Sequence, residues 1–148
     1  GVDGSRAPEL AMSFRWEARA NAHGYRGHGP STSGAAGLGQ HGGMSRHEMR
    51  NTLIARGPAF KSGLRLDSPT GNVDMAPTIL RILSIPGGET MDGRVLEETL
   101  AGGPDETNWA TATHDAELEL ASGVYRQRVT VSTAGGSTYV DEGNSTFG

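Results

Sequence analysis

The chain has 148 residues, of which 23 are glycine, 7 proline and none cysteine, with a formal net charge of −4. That length suits one domain, and the missing cysteines exclude disulfides, thiolate metal sites and cysteine nucleophiles. The mild acidity argues against a nucleic-acid duplex as partner, and no apolar run reaches the ~20 residues of a membrane span.

Leu, Ile, Val and Phe make up about 17% of the residues, under the ~20% below which a highly charged chain is disordered. The small net charge removes half of that argument, so the expectation is a folded chain with a thin core. No signal or transit peptide opens the sequence, which begins at Gly1.

Leu10–Trp16 alternates, with Met12, Phe14 and Trp16 on one side, and predicts a strand with one buried face. Residues 21–43 hold eight glycines and no periodicity, so they form a long loop. It ends in Gln40-His41-Gly42-Gly43, which can turn sharply. Ser45-Arg-His-Glu48 fits a capping box opening a short helical turn through Arg50. Thr52-Leu-Ile-Ala55, stopped by Gly57-Pro58, has the pattern of a short buried strand.

Asp74–Ser84 is the best helix: Asp74 is the N-cap, Pro77 falls in the first turn, and Met75, Ile79, Ile82 and Leu83 form a stripe. Pro86-Gly87-Gly88 ends it, and Val95–Leu100 is a second, shorter helix. Residues 104–116 are polar and are expected to be loop. Tyr125–Thr133 is β-branched and alternating, Ala134-Gly-Gly136 is a turn, and Ser137–Val140 returns, giving a terminal hairpin over 124–141.

Chemistry-bearing residues are few. His23, His28, His41 and His47 cluster in sequence and invite a metal reading, but their spacing fits neither a His-Glu-x-x-His helix nor a zinc finger. His41 stands out because its small neighbours let a ring reach into a site. Gly37-Leu-Gly-Gln-His-Gly42 fits a dinucleotide fingerprint on paper only, having no strand before it and no acidic residue about 20 positions on. Asp67, Asp74, Asp92 and Asp115 are possible acid–base groups, but Asp74 is explained as a cap and Asp92-Gly93 as a turn. Ser31, Ser33 and Ser45 lack a nucleophile elbow, and Asn144-Ser-Thr146 is a glycosylation sequon near the C-terminal end. A lone histidine falls short of the three protein ligands of a catalytic zinc.

Three blocks nevertheless resemble one family. His41-Gly-Gly-Met-Ser-Arg-His-Glu-Met-Arg-Asn-Thr-Leu-Ile-Ala-Arg-Gly-Pro-Ala-Phe-Lys61, then Gly71-Asn-Val-Asp-Met-Ala-Pro-Thr-Ile-Leu80, then Met91-Asp-Gly-Arg-Val-Leu96 are similar to the alkaline phosphatase superfamily. The likeness is to its nucleotide pyrophosphatase/type I phosphodiesterase branch. It implies an α/β fold: the C-terminal part of a three-layer α/β/α domain (motif-bearing core 40–100) that ends in an antiparallel β-hairpin. It implies that His41 ligates one of two divalent metal ions, zinc in most members. It assigns no role to His23 or His28, and His47 stands where relatives often carry an aromatic residue.

The family's Thr or Ser nucleophile and its other ligands lie upstream, and only 40 residues precede His41 here. The resemblance therefore implies a fragment of a longer hydrolase acting on a small phosphoester or nucleotide. Its absent N-terminal part would be the chain's packing partner. In-line displacement at phosphorus by the missing hydroxyl, clamped by two metals, would be the chemistry. The alternatives are a sulfatase or phosphomonoesterase of the same superfamily, or a catalytically silent structural or binding domain.

Overall fold

The structure is a computed structural model that describes residues 12–30 and 41–148. It is a mixed α/β chain with few helices and one three-stranded antiparallel sheet. Helix α1 spans Arg46–Met49 and α2 spans Met75–Ile82; strands β1, β2 and β3 span Trp109–Leu120, Gly123–Ala134 and Ser137–Phe147. The sheet order is β1-β2-β3. No helix among the described residues is long and apolar enough to cross a membrane.

The sheet follows from local chemistry. Gly135 and Gly136 both take positive φ, 55° and 88°, so the two-residue turn joining β2 to β3 suits the twist of the strands. Between β1 and β2 one face is a polar ladder. Thr111 Oγ1 meets Ser132 Oγ at 3.0 Å, Arg128 Nε donates to Asp115 at 2.7 Å, and Arg126 Nε donates to Glu117 at 2.8 Å. The two ion pairs are solvated and set register more than stability, while Ser132 is buried. β1 is exposed along its whole length. Residues 109–116 are therefore strand and not the expected loop.

The chain divides into two compact units, and each of the three strands contributes to both. Unit 1 holds residues 1–51, 112–131 and 140–148; unit 2 holds 52–111 and 132–139. The buried apolar side chains among the described residues are Pro77, Leu96, Leu100, Ala134 and Tyr139, all in unit 2. Buried polar groups outnumber them, with Ser45, Asp74, Thr78, Glu98, Ser132 and Ser137 all enclosed. The thin core expected from composition is what the fold has.

Several local expectations are corrected. Met12 and Phe14 are exposed and form no strand with Trp16; a β-bridge pairs the next residue, Glu17, with His28. Thr52–Ala55 joins no sheet, and Leu53 and Ile54 are 50% and 86% exposed. A short apolar run predicts a buried strand only where neighbours exist to cover it. The second helix shrinks to a 3-10 turn, Glu97–Thr99. The region 31–40, with Ser31, Ser33 and most of the dinucleotide-like run, lies outside the described residues.

Helix α2 forms where its sequence places it, with Pro77 in the first turn, but Asp74 at the N-cap position makes no capping side-chain bond. Its end is a Schellman arrangement: Ile85 N donates to Leu80 O at 2.9 Å and Ser84 N to Arg81 O at 3.2 Å. Ser84 occupies the left-handed position usually given to glycine, with φ 56°. The stripe of Met75, Ile79 and Leu83 is 46–60% exposed, so it faces away from the core.

Candidate functional site

In unit 1, His41 lies in a stretch without regular secondary structure that leads into α1. His41 is exposed and is followed by Gly42 at φ +87°, a conformation that side chains other than glycine rarely adopt. Ser45 begins α1, but its hydroxyl accepts from His47 N at 3.1 Å and not from Glu48 N, so the expected capping box is incomplete. Ser45 is wholly buried, which explains it as a cap and not as a nucleophile.

Three further contacts hold α1. Arg46 pairs bidentately with Glu142, with Nε at 2.6 Å. The hydrogen bond to Arg46 holds the Glu142 carboxyl below its usual range; burial opposes this, and the charges of Arg46, Arg50 and His47 reinforce it. Gly143 N donates to Met44 O at 2.8 Å. The His47 ring stands edge-on to Trp16 with centroids 6.1 Å apart. Gly27, at φ +78°, brings its backbone so close to Ser45 and His47 that a methyl group there would overlap both.

The other histidines have separate places. His23 lies exposed in a turn whose backbone N–H donates to Asn21 Oδ1, and His28 pairs with Glu17 through the backbone. Among the described residues no three His, Cys, Asp or Glu side chains come close enough to hold a metal ion. His41 offers one exposed imidazole, so a zinc ion bound there would need its other donors from residues beyond those described.

Unit 2 holds what sequence reasoning missed. Asp74 is fully buried, and its carboxylate accepts from Gly71 N at 2.8 Å, Arg94 N at 2.9 Å and the Tyr139 hydroxyl at 3.1 Å. It therefore ties the second resemblance block to the third instead of capping its own helix, with which it makes no side-chain bond. Gly93 is required by close approach, since a Cβ there would collide with the Val73 backbone.

Arg94 extends the network. Its guanidinium donates to Glu98 through two nitrogens, at 2.6 and 2.9 Å, and to Tyr139 Oη at 3.2 Å and Pro69 O at 3.3 Å. Burial works against both charges of the pair, but the mutual hydrogen bonds and attraction win. Arg94 stays above and Glu98 below the ordinary value. Burial, then the Asp74 carboxylate, push the Tyr139 phenol up, against Arg94. Every charged side chain here has a partner, and the cluster fastens the loops of unit 2 together. The i,i+4 spacing of Arg94 and Glu98 was the available signal.

Asp115 pairs with Arg128 on the exposed ladder, and Asp67 is exposed. Asn144 is engaged through its whole carboxamide, accepting from Trp16 N at 3.1 Å and donating to Trp16 O at 3.1 Å. The chain matches no family model, and no curated protein or solved structure gives a significant match.

Proposed function

We propose that the chain is the C-terminal part of a metal-dependent phosphodiesterase or nucleotide pyrophosphatase of the alkaline phosphatase superfamily. His41 is its contribution to the metal site. The observation that carries the reading is the set of three sequence blocks, in order, with His41 exposed beside a glycine turn at the head of the first. Two facts about packing support it. The second and third blocks are joined by Asp74 and Gly93, so their spacing has a structural reason. Thr52–Ala55 and the outer stripe of α2 are apolar surfaces of the kind a larger α/β domain buries.

Within that reading the chain's own residues present one imidazole, close to the anchored start of α1. The bound metals would supply charge stabilisation at phosphorus. The nucleophile and the remaining ligands are supplied from outside this chain, so the 148 residues alone are expected to be inactive.

The experiment is metal analysis of the intact enzyme with and without His41→Ala. Loss of one metal ion and of most activity supports the reading. Full retention of both metals removes His41 from the metal site and overturns its assignment; absence of a Thr or Ser nucleophile and of further ligands upstream would favour the silent domain.

A further inference from the structure

We propose that the Glu142–Asn144 stretch of β3 is a clasp that positions the segment bearing His41, with Asn144 as its main positioning residue. The proposal rests on the preceding reading only for what His41 does. Three segments distant in sequence meet here, all within unit 1. Asn144 binds both backbone groups of Trp16, and Trp16 Nε1 donates to Gly143 O at 2.8 Å. Trp16 is thus fixed at its backbone and at its ring by adjacent residues of one strand. Its ring in turn stands against His47.

On the same stretch, Gly143 N captures Met44 O and Glu142 captures Arg46. Met44 lies only three residues after His41, so two points of β3 anchor the chain immediately beyond the ligand. A third contact, Glu48 against Gly43, closes the turn from the other side. The arrangement makes the C-terminal strand part of the site's framework and not an appendage to the fold. It also accounts for the sequon: the Asn144 amide nitrogen, where a glycan would attach, is already committed to Trp16 O.

The test uses the 148-residue chain, without metal, in a Trp109→Phe background so that Trp16 is its sole indole. Asn144→Ala is expected to shift Trp16 emission to longer wavelength and to increase its quenching by acrylamide. It should speed amide exchange over Met44–Met49 by about tenfold or more, the loss expected for about one good hydrogen bond. Amides around Asp74 and Arg94 should be unaffected. Asn144→Asp, which keeps the acceptor for Trp16 N and loses the donor to Trp16 O, should restore part of both signals.

His41→Ala should leave emission and exchange at the parent values, so this test and the metal test fail independently. Unchanged Trp16 emission with unchanged exchange over Met44–Met49 in Asn144→Ala would overturn the clasp. Uniform acceleration of exchange throughout the chain would overturn it equally, because Asn144 would then serve global stability alone.

Discussion

Ser84 is the one described non-glycine residue with positive φ, and it sits at the left-handed end of α2. A side chain there costs about 1 kcal/mol. Ser84→Gly should therefore stabilise the chain by up to about 1 kcal/mol, as read by urea denaturation. Gly93 is the opposite case. It has no room for a methyl group beside the Val73 backbone, so Gly93→Ala should cost about 1–3 kcal/mol by overpacking. Glu98→Ala strands the buried Arg94 charge and should cost about 3–5 kcal/mol. The pH dependence has a definite sign. Glu98 is lowered in the fold, so its contribution is complete above the ordinary carboxylate range and fades as pH falls through its lowered value. Tyr139 is raised, so its contribution is complete below the ordinary phenol value of about 10 and fades as pH rises past it. Denaturation midpoints measured across pH should fall at both ends, and Glu98→Gln should flatten the acid limb.

At the scale of elements, what was legible depended on whether local chemistry or long-range covering decided the outcome. The Gly135–Gly136 turn and α2 were readable because glycine geometry, a first-turn proline and a sharp stop are local signals. β1 was not, because Ala, Asp and Glu are weak strand formers, and its partners Arg126, Arg128 and Ser132 lie 9 to 21 residues away. Asp74 looked like a helix cap because its three acceptor contacts come from Gly71, Arg94 and Tyr139, and the last two are remote in sequence. For the candidate site, the need for glycine after His41 was legible, since Gly42 takes φ +87°, while the support from Trp16, Glu142 and Asn144 was invisible to any short-range pattern. Thr52–Ala55 yields a prediction of its own. In the 148-residue chain Ile54→Asn should change stability by no more than about 0.5 kcal/mol, as for an exposed position. In the intact enzyme, where this run would be a covered strand, the same change should cost about 3 kcal/mol or more. Parallel urea titrations of the two proteins would reveal equal costs if no such cover exists.

For the whole molecule, the proportions of the core carry the argument. The described residues bury more polar side chains than apolar ones, and the apolar surfaces of α2 and Thr52–Ala55 remain open. A fragment of a larger α/β domain accounts for both facts together with the three sequence blocks. On that account the chain alone should show negligible turnover of a nitrophenyl phosphodiester, even with added zinc. If His41 ligates a metal in the intact enzyme, elemental analysis of that purified enzyme should find two divalent metal ions per wild-type molecule and one after His41→Ala, as a two-metal centre losing one ligand requires. Two metal ions at full occupancy in both proteins would contradict it.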